Sequence, residues 1–215
     1  MERTMRTDYE TLTLEMSEDH ILKVILDRPD AANSMNTQMG FDLRSMWADL
    51  YHDPTVARCI VLTGRGEKIF CAGGDLKQRN GMSDKEWLDQ HAIFEQGVKS
   101  MMDCPIPIIG AINGAAYGGG CELALNCDFL YAAEHARFAL TEVTLGIMPG
   151  AAGTQNMPRA VGVRRAMEVI LTGMPLSAAE ALEYGLVNSV CPPAKLTDKV
   201  MATARRIASN APIAI

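Results

Sequence analysis

The chain opens on alternating apolar positions, Leu12, Leu14 and Met16, followed by a short apolar run from Ile21 to Leu26 that Arg28-Pro29 closes. Alternation and a short bounded run both predict strands, and the proline stops the second. From Thr37 to Tyr51 the period changes. Met39, Leu43, Met46, Trp47 and Leu50 recur at helical spacing behind Asn36, whose side chain suits an N-cap. Cys59 to Thr63 reads as a buried strand bounded by Gly64 and Gly66, and Ile69-Phe70 leads into Cys71-Ala72-Gly73-Gly74-Asp75-Leu76. Ser83 with Glu86 three residues on forms a capping box for a long helix carrying Trp87, Phe94, Val98 and Met101. Ile106 to Ile112 reads as another strand, closed by the turn pair Asn113-Gly114. Gly118-Gly119-Gly120 precedes a short helical pattern from Cys121 to Leu125, and Cys127 to Ala132 and Phe138 to Leu140 are strand-like. Strands and helices alternate, so the pattern predicts an α/β architecture. After Gly153 three segments, Arg164 to Leu171, Ala178 to Tyr184 and Thr197 to Ser209, all carry helical spacing. Ser177 with Glu180 caps the second, and Gly185 ends it. No tandem repeat, low-complexity tract or long linker interrupts the chain.

Composition narrows the class. With 215 residues, 48% of them hydrophobic and 21% charged, the chain is long enough to bury a sizeable core and too apolar for disorder. A net charge of -6, from 20 basic and 26 acidic residues, together with no Lys/Arg run longer than a pair, disfavours nucleic-acid binding through phosphate contacts. Met1 to Glu10 is charged at five positions and has no apolar stretch of the kind a secretory signal needs, so no export is expected. The most apolar tract, Cys104 to Ala116, is broken by Pro105, Pro107, Gly110, Asn113 and Gly114 and reads as a buried strand and turn rather than a membrane span. Six cysteines in mostly apolar surroundings, with no C-x-x-C pair, suit reduced core thiols in the cytoplasm. His20, His52, His91 and His135 lack ligand spacing, so no metal site is expected.

Three loops could carry chemistry: Ala72-Gly73-Gly74-Asp75 after a strand, Gly118-Gly119-Gly120-Cys121-Glu122 at a helix start, and Thr141-Glu142 followed by Gly146 and the glycine-rich Pro149-Gly150-Ala151-Ala152-Gly153. Glycine allows a ligand to approach backbone amides closely. The second loop is not a dinucleotide fingerprint, because Leu123 stands where G-x-G-x-x-G needs glycine, and it is equally readable as a tight turn for helix-sheet packing. A helix N-terminus with free amides favours developing negative charge, and a second amide from the Gly73-Gly74 turn would complete an oxyanion hole. Glu122 lies among Cys121, Leu123, Ala124 and Leu125, where a carboxylate is costly unless paired or functional. It also fits a plain helix-dipole role. Glu142 reads either as an exposed acid at a strand end or as its partner in proton transfer, with mutual repulsion raising one of the two pKa values.

Phe70-Cys71-Ala72-Gly73-Gly74-Asp75-Leu76, Ala111-Ile112-Asn113-Gly114 running to Gly118-Gly119-Gly120-Cys121-Glu122-Leu123, and Glu142 with Leu145-Gly146 and Pro149-Gly150-Ala151-Ala152-Gly153-Thr154-Gln155 together resemble the enoyl-CoA hydratase (crotonase) family in order and separation. The resemblance implies a spiral of repeated strand-strand-helix units over residues 1–153. A helical C-terminal region, 154–215, would mediate trimers or dimers of trimers. It implies a CoA thioester whose carbonyl is held by the amides of Gly74 and Gly119, with Glu122 and Glu142 as catalytic acids and Gly150 lining the site beside the second. Gly118 belongs to the same site. The loop from Arg28 through Ala32 to Ser34, with Ala72, Gly73, Asp75 and Leu76, corresponds to the CoA-binding edge. Ala152 replaces a glycine common in the family, Asn156 stands where a basic residue is usual, and the chain ends at Ile215, short of the family's last helices. The implied activity is syn addition of water to a 2-enoyl-CoA with no cofactor beyond the CoA of the substrate. A double-bond isomerase, or a non-catalytic CoA-ester or RNA-binding protein on the same fold, is the alternative.

Overall fold

The computed structural model describes residues 6–215. The reading of Met1 to Glu10 as lacking an export signal therefore extends, at residues 1–5, outside the described residues. Two sheets organise the molecule. The larger runs β1 (Leu12–Met16), β2 (Ile21–Leu26), β3 (Cys59–Gly64), β5 (Ile108–Ile112), β7 (Phe129–Ala133) and β10 (Ser189–Cys191), in that spatial order. The smaller runs β4 (Ile69–Cys71), β6 (Ala115–Tyr117), β8 (Arg137–Ala139) and β9 (Leu176–Ser177). Successive pairs β3–β4, β5–β6 and β7–β8 thus place one strand in each sheet, and neighbours across the turns pair in parallel. This is the spiral expected from the resemblance. Parallel strands covered on both faces require continuous apolar sequence, and β5 is buried at every position.

Helices connect the turns of the spiral. α1 (Thr37–His52) is capped by Asn36, whose side chain accepts from Met39 N, and buries Met39, Leu43, Met46, Trp47 and Leu50. Asp75 caps the single turn α2 (Leu76–Arg79), and Ser83 and Glu86 form the capping box of α3 (Asp84–Met102). α4 (Gly119–Leu125) presses against β4 so closely that a methyl group on Gly120 would lie 2.2 Å from the Cys71 carbonyl oxygen. Beyond it come α5 (Gly153–Val161), α6 (Val163–Thr172), α7 (Ala178–Glu183) and α8 (Pro193–Ala208). One core cluster gathers Trp47, Phe70 and Phe138. A second lies on the other face of the larger sheet, where Leu196, Val200 and Ala204 of α8 cover Ile21, Val61 and Ile109.

Several boundaries differ from the sequence reading, each for a local reason. β5 starts at Ile108 rather than Ile106, because Pro105 and Pro107 lack the N–H a ladder needs and the Asp128 carboxylate takes the Ile108 N–H at 2.7 Å. β7 starts at Phe129 rather than Cys127, whose N–H instead closes the end of α4 on Ala124 O. α8 begins at Pro193, four residues before Thr197, with a proline in the first turn where its missing N–H is harmless. The region after residue 153 is not purely helical: β9 pairs antiparallel with β8 and β10 pairs parallel with β7, and α8 packs on the larger sheet. The three-residue strand β6 and helices α2 and α5 had no sequence expectation. No described helix is long and apolar enough to cross a membrane. All six cysteines are free thiols.

Candidate functional site

The loop after β4 is stitched to the segment after β2. Met35 N donates to Gly73 O at 2.8 Å and Asp75 N to Met35 O at 3.0 Å, a parallel bridge that turns the Gly74 N–H away from Met35. Ala72 N adds a bond to Ala32 O at 3.1 Å. Across the gap, Gly118 adopts φ 52°, ψ −128°, a conformation open to glycine, and makes Gly119 the first residue of α4. Gly119 N–H lies in the first turn, where no intrahelical acceptor exists. Among the described residues neither the Gly74 nor the Gly119 amide has an acceptor. A methyl group on Gly119 would come 3.9 Å from Gly74 N, so the two unused donors are neighbours.

Glu122, in the same short helix, is only 3% exposed. Its Oε1 accepts from Ala151 N at 2.7 Å and Gly153 N at 2.8 Å. Those amides converge because Ala152 adopts a left-handed φ of 74°, the conformation that glycine would take without cost at this departure from the family pattern. Asn156, the second departure, donates to Asn126 Oδ1 at 2.7 Å while Asn126 Nδ2 holds Ala151 O at 3.2 Å, which pins the loop in place. Burial raises the Glu122 pKa, and the amides of Gly153, Ala151 and Gly150 oppose that rise. Glu122 therefore does more than sit near a helix N-terminus: its hydrogen-bond partners come from the third glycine-rich loop.

Glu142 is not the exposed acid that a strand end suggests. It starts a 3-10 turn, Glu142–Leu145, with 7% of its surface exposed, and its Oε2 is buried without a hydrogen-bond partner. Its Oε1 lies 3.3 Å from where a methyl group on Gly118 would sit, beside the start of α4. Desolvation, and secondarily the Glu122 charge, push its pKa up to about 7. The folded protein therefore holds this proton over a range where the unfolded chain, with an ordinary value of 4.5, has lost it. Stability contributed by this group is complete below 4.5 and falls as pH rises to about 7, by about 3 kcal/mol in total. Urea unfolding from pH 4.5 to 8 is expected to show that slope, and Glu142→Gln to remove most of it; an unchanged slope in the variant would refute the assignment.

The other expected residues are brought together at one edge, though several are engaged with each other. Arg28 Nη1 pairs with Asp75 Oδ2 at 3.0 Å and donates to Ser34 O at 2.5 Å, while Asp75 Oδ1 caps α2 through Lys77 N and Gln78 N. These bonds hold the edge in shape. Ala72 and Leu76 remain exposed on it. Gly150 is exposed on the opposite loop, where a methyl group would touch His91 Cε1 at 3.4 Å. Sequence reasoning missed an apolar cavity of about 40 Å³ beside Gly119, formed where α1 and α3 cross and lined by Met35, Leu43, Trp47, Phe94, Val98 and Leu123. Four of these were visible as helical core positions; their convergence on Gly119 was not. Among the described residues no cluster of His, Cys, Asp and Glu could hold a metal ion.

The enoyl-CoA hydratase/isomerase family model matches residues 16–215. The (E)-benzylidenesuccinyl-CoA hydratase of Thauera aromatica is 43% identical over 205 residues, spanning 95% of this chain and 78% of that protein. The short-chain-enoyl-CoA hydratase of Clostridium acetobutylicum is 37% identical over 92% of this chain and 76% of its own length. An enoyl-CoA hydratase crystal structure from Bacillus anthracis superposes with a TM-score of 0.92 at 43% identity, covering 95% of this chain and 79% of that one. With the family model extending over nearly the whole chain and the spiral fold shared with a solved relative, the protein belongs to the enoyl-CoA hydratase/isomerase family.

Proposed function

We propose that the protein adds water across the 2,3 double bond of an enoyl-CoA, giving a 3-hydroxyacyl-CoA. The observation that carries this reading is the pair of buried glutamates beside two unused backbone donors, one held by amides and the other poised near neutrality. The Gly74 and Gly119 amides receive the thioester oxygen and stabilise it as it becomes enolate-like. Glu122, fixed by Ala151 and Gly153, takes a proton from water as the water oxygen bonds to C3. Glu142 gives its proton to C2. The proton gained by one carboxyl and lost by the other is then restored by exchange with solvent. The thioester makes C3 electrophilic and C2 protonatable, so the reaction calls for no cofactor beyond the CoA that the substrate carries. The Arg28–Ser34 loop and the Ala72–Leu76 edge would receive that CoA, with Gly118 and Gly150 framing the reacting end.

The test is an assay of purified protein on short, medium and aryl 2-enoyl-CoAs, followed by loss of the conjugated thioester absorbance. Conversion of a 3-enoyl-CoA without hydration of any 2-enoyl-CoA would make the protein an isomerase. Binding without turnover of either would make it a CoA-ester-binding protein.

The reading extends to assembly and compartment. Val143, Leu145, Ile147 and Met148 are exposed beside α6, whose Val163, Met167 and Leu171 are exposed too, and apolar surface on this scale fits contact with further copies of the chain. Sedimentation velocity is expected to give a trimer or hexamer, and a stable monomer at micromolar concentration would overturn that assignment. Six free thiols, five of them buried, fit the reducing cytoplasm.

A further inference from the structure

Arg79, the last residue of α2, has no role in the mechanism above, yet it lies against the site. Its guanidinium covers Gly74: a methyl group on that glycine would sit 2.9 Å from Arg79 Cζ and Nη1 and 3.2 Å from Nη2. The same group rests over the Phe94 ring, 5.6 Å from its centroid, and Phe94 lines the apolar cavity beside Gly119. The side chain is held there deliberately. Nε donates to Gln90 Oε1 at 2.9 Å, and Gln90, 2% exposed, is itself anchored by donating to Thr37 Oγ1 at 2.8 Å and Gln78 Oε1 at 3.0 Å.

This orientation leaves the fork of the guanidinium unused. Neither Nη of Arg79 has an acceptor among the described residues, and no carboxylate lies within ion-pair distance. Asp75, the acid whose field reaches Arg79, is already taken by Arg28, just as Asp27 is taken by Arg65. Burial depresses the Arg79 pKa, with only the field of Asp75 opposing. A partly desolvated cation with both Nη groups free is costly unless an anion joins it, and a planar fork matches a carboxylate bidentately.

We propose that Arg79 is a specificity residue that recognises a second, free carboxylate on the acyl group of the substrate. The inference rests on the hydratase reading for where the acyl group lies: a thioester oxygen on Gly74 and Gly119 starts the acyl chain beside the guanidinium, at the mouth of the cavity lined by Phe94. A neutral acyl chain leaves the guanidinium unpaired. A chain carrying a carboxylate a few atoms from the thioester carbon completes it.

The experiment measures binding first, so that it does not depend on turnover. Calorimetric titration of the full chain with glutaryl-CoA, butyryl-CoA and free CoA compares an acyl carboxylate, a neutral acyl group and none. The expected result is glutaryl-CoA binding about 30-fold more tightly than butyryl-CoA, the lower range for truncating a buried charge pair. Arg79→Met should erase that preference while shifting butyryl-CoA affinity by less than about threefold on the same scale, and Arg79→Lys, which keeps charge but loses the fork, should retain part of it. Equal losses for all three ligands in Arg79→Met would make Arg79 a contact to CoA itself and overturn the proposal. So would the absence of any preference in the wild type, a result that needs no variant to fold. Hydration of crotonyl-CoA and glutaconyl-CoA then separates the two readings. Carboxylate preference without hydration sinks only the hydratase reading, and hydration with no preference sinks only this one.

Discussion

Glu122→Gln and Glu142→Gln are each expected to lower the rate of 2-enoyl-CoA hydration by roughly 10²- to 10⁴-fold, the range for losing a positioned acid or base. The structure makes these clean substitutions. A glutamine at 122 keeps an oxygen to accept from Ala151 N and Gly153 N, so the loop around Ala152 stays closed while the group loses its capacity to take a proton. A glutamine at 142 resembles the protonated acid in size and neutrality, so it fits a site that already favours the uncharged form. It lacks a proton it can surrender to C2. Acyl-CoA affinity should persist in both, since the proposed mechanism gives thioester binding to the amides of Gly74 and Gly119. The double variant should lose little more than either single one, because the two groups act in one step and their effects do not add. In the wild type, kcat/KM should decline as pH rises through about 7 and Glu142 gives up its proton, a limb absent from Glu142→Gln. Full hydration by Glu122→Gln would remove that residue from the mechanism. If the same variant kept full activity on a 3-enoyl-CoA and the wild type hydrated no 2-enoyl-CoA, isomerisation through Glu142 alone would replace hydration.

What could be read before the structure was local. Asn36, Ser83 with Glu86, and Ser177 with Glu180 cap helices where expected, because a cap is written within four residues of chain. The two catalytic candidates and their glycine loops were legible as motifs for the same reason. Strand β6 was not: Ala115–Tyr117 is three residues long and exists through pairing with β4 and β8, which come from distant parts of the chain. Helix α5 hid behind the glycine-rich loop and an internal Pro158. Glu142 showed nothing in its neighbours to distinguish a buried acid from an exposed one, since it is buried in the assembled site, where it lies beside Gly118 at the start of α4. Arg79 had no signal at all, because its lack of an anion is a property of the assembled site. Local sequence therefore reported which groups were present, and the spiral decided which of them lost water.

Gly119→Pro is the second large effect, expected to raise the barrier by about 2.7 to 4 kcal/mol, or 10²- to 10³-fold in kcat, the scale for deleting one oxyanion donor. Proline is ordinarily a destructive replacement, but the position is unusually suited to it. Gly119 is the first residue of α4, where a proline ring has the right φ and no intrahelical hydrogen bond is lost. The preceding Gly118, at φ 52° and ψ −128°, is outside the right-handed helical conformation that a following proline disfavours. The Cβ of the proline would meet Met35 Cε, 2.6 Å away and the free end of a flexible side chain, while its Cδ would stand where the amide hydrogen was. The variant thus removes an N–H that no described residue accepts and closes its place with a methylene. Circular dichroism and the melting temperature should show an intact fold, while kcat falls and Glu122 and Glu142 remain in place. A folded variant with undiminished turnover would mean that Gly74 and Gly119 do not hold the thioester oxygen, and the anion stabilisation would have to be sought elsewhere in the site.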